Sequence, residues 1–270
     1  MKLVGPHMDD VVATRDGPVR ITRPPAWMML GELRAVFELG LAASALPALA
    51  AAPRGDGHPV LVLPGFLASD RATEALRRFL DGLGYATYGW EQGLNLGPTQ
   101  AALDGMTTRL QRLGDLHATR VSLVGWSLGG VFARELARRL PERVRRVITL
   151  AAPFRRPDTS NVASAYRLLA PIHAEHLSEE TLFRMASPLM VPTTAIYTRA
   201  DGIVAWASCL EDEGHGRENI EVTGSHMGLP HNPAAMLAIA DRLALAPGAW
   251  HPYQPTGWSA LFFPARSSAA

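Results

Sequence analysis

The sequence predicts an α/β protein: a reduced, mostly parallel six-strand sheet with helices on both faces and a small helical cap. Three observations carry this. Short continuous apolar runs such as Pro59-Val60-Leu61-Val62-Leu63 recur along the chain, as strands buried on both faces do. Helix-length segments separate these runs, and that alternation builds a parallel sheet between two helical layers. One run leads straight into Gly125-Trp126-Ser127-Leu128-Gly129, a Gly-x-Ser-x-Gly turn set between a strand and a helix.

Composition agrees with a packed protein. The 270 residues are 47% hydrophobic and 19% charged, enough apolar material to bury a core and too little charge for a disordered chain. The net charge is +1, so the overall balance calls for neither nucleic acid nor an acidic partner. Arg134, Arg138, Arg139, Arg143, Arg145 and Arg146 cluster, and read as a solvated helix face and the turn after it. The single cysteine, Cys209, leaves no intramolecular disulfide to form.

Taken in order, residues 1–25 are polar and Pro-rich and read as an arm. Within 27–46, Leu30, Leu33, Phe37 and Leu41 recur at three- and four-residue spacing with Glu32, Arg34 and Glu38 between them. That pattern predicts an amphipathic helix packed on the core, so that 1–54 forms an arm and helix ahead of a domain at 55–270. Two other readings of 27–46 follow behind: a helix that seeks a membrane surface, and a cleaved signal. The uncharged run from 39 to 53 is shorter than a membrane span needs, and Pro47 interrupts it. A cytoplasmic location is the first expectation, with peripheral membrane or export left open.

The domain then reads strand 59–63, a helix from Ser69-Asp70 to Leu83 stopped by Gly84, and strand 85–90. A Gly-rich loop through Asn95 and Gly97 leads to a helix over 99–117. Strand 121–124, helix 128–140 and strand 144–150 follow, then strands at 193–198 and 220–223 and a last helix over 233–245. Between 154 and 191 the alternation breaks. That stretch has no strand-like run but two helix-like pieces, near 162–170 and 179–186, and reads as a cap inserted between two strands.

The chemistry gathers where strands end. A serine held on a tight turn projects its hydroxyl above the sheet, and glycines two before and two after Ser127 remove side chains that would collide there. A hydroxyl is a poor nucleophile until a base takes its proton. His226, in Gly224-Ser225-His226-Met227-Gly228 after the last strand, arrives at the same sheet edge; His231 is its rival. The carboxylate that orients the imidazole is Asp201, in Thr198-Arg199-Ala200-Asp201-Gly202, with Glu211, Asp212 and Glu213 nearby in a more polar run. An oxyanion needs fixed donors, and the backbone N–H groups of Leu128 and of Phe66, just after Pro64-Gly65, are the candidates. Phe66, Trp126 and Leu128 flank the reacting centre and are the candidate pocket residues.

From about residue 59 to 246 the sequence resembles the α/β-hydrolase superfamily, most of all its bacterial lipase and esterase members with a reduced six-strand core. The resemblance rests on Leu63-Pro64-Gly65-Phe66, Gly125-Trp126-Ser127-Leu128-Gly129-Gly130, Arg199-Ala200-Asp201-Gly202 and Gly224-Ser225-His226. It implies the triad Ser127, Asp201 and His226, which the residues themselves also suggest. Pro64 stands where many relatives have histidine, and the first two strands of the full fold are missing, so residues 1–54 have no counterpart. The expected activity is cleavage of a carboxylic ester with an apolar acyl chain. Thioesterase, amidase or acyltransferase chemistry on the same triad, or a catalytically silent binding protein, stays open. No metal-ligand spacing or phosphate loop occurs, so no metal and no cofactor are expected, and no nucleic-acid partner.

Overall fold

The computed structural model describes residues 11–14, 17–164 and 184–264. The chain enters as a hairpin, β1 (Val11–Thr14) and β2 (Gly17–Arg20), which the polar, Pro-rich composition of this stretch conceals. Buried Val12 and Ile21 anchor it to the core. A 3-10 helix, Ala26–Arg34, runs into α1 (Ala35–Ser44) and α2 (Leu46–Ala50). Then come β3 (Pro59–Leu63), α3 (Glu74–Leu83), β4 (Ala86–Tyr88), α4 (Gln100–His117), β5 (Val121–Trp126) and α5 (Leu128–Arg139). The chain closes through β6 (Val144–Leu150), β7 (Thr193–Tyr197), β8 (Arg217–Glu221) and α6 (Pro233–Ala244).

Strands β3 to β8 form one parallel sheet in the order β4-β3-β5-β6-β7-β8. Side chains alternate along each strand, so the sheet feeds two cores. Val60, Val62, Val124 and Ile148 face Leu76 and Leu80 of α3 and Ile239 and Leu243 of α6. Leu61, Leu63, Leu123 and Val147 face Met106 and Leu110 of α4 and Phe132 and Leu136 of α5. Each such side chain contributes about 1.5–3 kcal/mol of burial. The caps are local: the Thr99 hydroxyl accepts from Ala102 N at 2.9 Å, Asn232 accepts from Ala235 N at 3.1 Å, and Gly84 closes α3 at φ 99°. Asp70, expected to cap α3, instead accepts from the backbone of Trp90 and Glu91.

Three expectations are corrected. The last strand lies at Arg217–Glu221 rather than 220–223, because this edge strand buries only alternate residues, Glu218 and Ile220. Charged residues on its other face hide it from an apolar-run reading.

In residues 26–50 the anticipated orientation is reversed. Leu30, Leu33 and Phe37 are 73%, 73% and 81% exposed, whereas Glu32 and Glu38 are buried. Carboxylates go inside here because backbone N–H groups beneath them need acceptors. Only Ala45, Leu49 and Ala52, further along, enter the core cluster.

The arginine cluster is a solvated face only in part: Arg139 is exposed and Arg138 and Arg143 are half-buried. Arg134, Arg145 and Arg146 are buried. Arg145 and Arg146 both donate to Leu245 O beyond the C-terminus of α6, at 3.0 and 2.5 Å, where free carbonyls favour positive charge. Arg145 also pairs with Asp56 at 2.7 Å. Arg134 pairs with buried Glu211, donates to Ser187 O at 3.0 Å and lies over the Phe154 ring. Burial pulls its guanidinium well below the ordinary arginine range, so the pair depends on its carboxylate. Glu211→Ala, which leaves that guanidinium uncompensated, is expected to cost about 3–5 kcal/mol in urea unfolding. The double change Arg134→Met with Glu211→Leu should recover most of it. A single-variant loss below 1 kcal/mol would remove this pair from the stabilising contacts.

Most of the anticipated cap, 165–183, lies outside the described residues. Its described flanks, up to Ser164 and from Arg184, contain no strand. Among the described residues no helix is long and apolar enough to cross a membrane.

Candidate active site

At the end of β5 the chain reverses into α5 within one residue. Ser127 sits at φ 53°, ψ −122°, a conformation that costs a non-glycine residue on the order of 1–3 kcal/mol. The surroundings hold it there: Ser127 N donates to Leu150 O at 2.7 Å, and Gly130 N to Ser127 O at 2.9 Å. A Cβ on Gly125 would collide with the Gly129 carbonyl, and one on Gly129 with the Leu63 carbonyl, so strand and helix approach only as glycines. The positive end of α5 begins beside the serine.

The loop after β3 passes over this turn. A Cβ on Gly65 would stand 3.2 Å from Ser127 Cβ, so the loop that carries Phe66 runs close against the serine turn. Phe66 and Leu128 are half-buried, while Trp126 is buried and its indole N–H donates to His226 O at 3.0 Å. Asn95 braces the same loop, a role the sequence did not reveal. It is fully buried, donates from Nδ2 to Pro64 O at 2.8 Å, and exchanges backbone bonds with Leu67 and Ala68 at 2.8 Å each. The only available signal was an amide residue between the otherwise apolar and glycine positions of 94–97.

Asp201 and His226 leave adjacent strands, β7 and β8, and meet as a buried pair. His226 Nδ1 lies 2.7 Å from Asp201 Oδ2. Asp201 Oδ1 accepts from Ile203 N and Val204 N, both at 2.8 Å, so the carboxylate has one fixed orientation. Burial pushes the imidazole's affinity for a proton down, but the charge and hydrogen bond of Asp201, aided by the charge of Glu32, outweigh it and hold His226 above its ordinary value. The Trp126 indole bond ties this pair to the strand that carries Ser127, and all three residues occupy the carboxyl edge of the sheet.

The rivals are engaged elsewhere. His231 Nε2 bonds to Ala35 O at 3.0 Å, Glu211 pairs with Arg134, and Asp212 with Arg155 at 2.5 Å. One look-alike exists at the other end of the sheet, where His58 Nε2 stands 2.8 Å from Ser122 Oγ and its Nδ1 bonds Asp56. Ser122 is fully buried in β5, so no substrate reaches it. A cavity of about 570 Å³ at that end, between Arg120, Arg217 and Trp250, touches none of the candidate residues. Among the described residues no group of three His, Cys, Asp or Glu side chains is placed to hold a metal ion.

The fold is similar to that of a solved structure, Aspergillus fumigatus lipase B, at TM-score 0.52 and 18% identity over 71% of this chain. The chain has the α/β-hydrolase fold. It spans about half (53%) of that lipase's length. Weaker likenesses include α/β-hydrolase domain-containing protein 10 from mouse, at TM-score 0.47 and 17% identity over 70% of this chain and 90% of that one. An α/β-hydrolase enzyme from a sediment metagenome of the Mar Chica lagoon, Morocco, aligns at TM-score 0.47 and 16% identity over 70% and 91%. No protein-family model matches the chain, and no curated protein does.

Proposed function

We propose that the protein is a serine hydrolase that cleaves carboxylic esters with an apolar acyl chain. The observation that carries this reading is the strained turn holding Ser127 at the sheet edge where the buried His226–Asp201 pair also arrives. His226 takes the Ser127 proton as Oγ attacks the ester carbonyl carbon. The carbonyl oxygen becomes an oxyanion facing the N–H groups of Phe66 and Leu128. The tetrahedral adduct expels the alcohol, which receives the proton from His226, leaving an acyl-enzyme. Water then repeats the sequence, and the acid leaves. Asp201 keeps the imidazole in the tautomer with the proton on Nδ1 and stabilises its positive form.

Half-buried Phe66 and Leu128 support an apolar acyl site beside the serine, with buried Trp126 as its floor. Exposed Leu67 and Met227 adjoin Phe66 and His226 in sequence, and Trp27, Leu30 and Phe37 are exposed apolar side chains within 27–46. These residues support contact with an amphiphile or membrane surface through 27–46. The test is kcat/KM for p-nitrophenyl esters from acetyl to palmitoyl. Each methylene buried is worth about 0.8 kcal/mol, about fourfold in rate, until the site is full. A short- to medium-chain optimum is expected. A flat profile or an acetyl optimum would sink the apolar-site reading, and an abrupt rise when palmitoyl ester forms an emulsion would make the enzyme a lipase.

A further inference from the structure

We propose that Glu32 is a positioning residue for the base and its partner: a single carboxylate from the N-terminal segment that locks the Asp201 and His226 loops to each other. The proposal rests on the catalytic reading above, and it concerns a segment outside the stretch that resembles the family.

Glu32 is buried between the two loops. Its Oε1 accepts from Gly202 N at 2.8 Å and its Oε2 from Met227 N at 2.9 Å. Those two amides belong to the residues immediately after Asp201 and after His226. One rigid planar group thus bridges the two loops, in addition to their own 2.7 Å contact. Its neighbours on the segment act on the flanking residues. Arg34 Nη2 donates to Ala200 O at 2.9 Å and to Gly224 O at 2.7 Å, again one bond to each loop. Glu38 accepts from Ser225 N and Ser225 Oγ, both at 2.8 Å, and pairs with Arg34 at 3.3 Å. The approach is close enough to dictate sequence. A Cβ on Gly202 would overlap the Met28 backbone, and one on Gly228 would overlap the Glu38 carboxylate.

The charges around His226 give Glu32 a second effect. Asp201 faces the imidazole directly, and Glu32 lies one residue along the backbone. Glu38 is compensated by Arg34, and behind Asp201 the buried Cys209 thiol is pushed up by burial and by the Asp201 charge, so it stays neutral. Glu32 is therefore a further negative charge that favours the imidazolium formed in each proton transfer, and it contributes to the raised proton affinity of His226. A carboxylate that only filled space would leave that affinity alone.

The test compares full-length wild type with Glu32→Gln and Glu32→Asp. Two readouts are taken: the imidazole titration of His226 by NMR, and kcat and KM for the preferred ester across pH. Glu32→Gln removes the charge and is expected to move the His226 titration, and the acid limb of kcat/KM, to lower pH. Misplacing the pair should lower kcat about 10- to 100-fold with KM within about twofold. Glu32→Asp keeps the charge but is too short to reach both amides, so it should lose kcat while moving the titration less than Glu32→Gln does. An unchanged His226 titration in Glu32→Gln, or wild-type kcat in Glu32→Asp, overturns the proposal. If Glu32→Gln does not fold, Glu32→Asp decides alone. A wild type that turns over no ester refutes the ester reading only, because the titration needs no substrate.

Discussion

Ser127→Ala is expected to lose ester turnover by about 10⁴- to 10⁶-fold while melting at the temperature of the parent. The loss is that large because the base, its partner and the oxyanion donors act as a unit around one attacking atom. The fold should not notice the change, since the elbow is held by backbone bonds from Ser127 N to Leu150 O and from Gly130 N to Ser127 O. A companion variant separates chemistry from strain. Ser127→Gly accepts φ 53° without cost and should be inactive yet more stable by about 1 kcal/mol, because the strained conformation is then native to the residue. Labelling with a fluorophosphonate and thermal melts check both. An alanine variant that still labels would mean that Ser127 is not the nucleophile.

His226→Ala should match Ser127→Ala in depth, and Asp201→Asn should fall about 10⁴-fold, since the amide favours the wrong imidazole tautomer. Only the neutral imidazole can take the serine proton. His226 is held above its ordinary value, so the acid limb of kcat/KM belongs above about pH 6.5. The same linkage acts on stability with the opposite sign. A histidine whose proton affinity rises on folding stabilises the fold fully below about pH 6.5, and that contribution fades as pH climbs through the folded value. Activity therefore grows over the range where this one contribution to stability declines. An acid limb below pH 6 would contradict the buried pairing with Asp201, and inactivation by His231→Ala instead would relocate the base.

The sheet was legible because its central strands are buried on both faces, so β3 reads as an unbroken apolar run and β5, β6 and β7 as mainly apolar ones despite Ser122, Arg145, Arg146 and their threonines. The Ser127 turn was legible for a related reason, since two glycines at fixed offsets are a steric requirement of strand meeting helix. Asp201 and His226 followed from the strand ends they succeed and from the chain order Ser, Asp, His, and the structure brings the two together. What remained hidden depends on long-range polar contacts. Nothing in the spacing of Leu30, Leu33 and Phe37 tells which way a helix will turn when the domain offers it unpaired amides instead of apolar side chains. Arg134, Arg145 and Arg146 looked solvated because their partners, Glu211, Asp56 and the carbonyl of Leu245, are far away in sequence. Asn95 offered only an amide amid apolar and glycine positions; its bonds to Pro64, Leu67 and Ala68 give it a role.

The bonds from Glu32 to Gly202 and Met227 join residues 170 and 195 positions apart, and Arg34 reaches Gly224 across 190. A ribosome adds about 5–20 residues each second, so the segment emerges some tens of seconds before the second loop it must grip. Closing so long a loop carries an entropic cost of about 4–5 kcal/mol, met only once the sheet has already brought its last strand alongside. The expected order follows contact distance along the chain: the sheet forms from local strand–helix units, and residues 32–38 dock afterwards. The contacts that tie the Asp201 and His226 loops together are then expected among the last to form, because Glu32 and Arg34 must wait for Gly202, Gly224 and Met227.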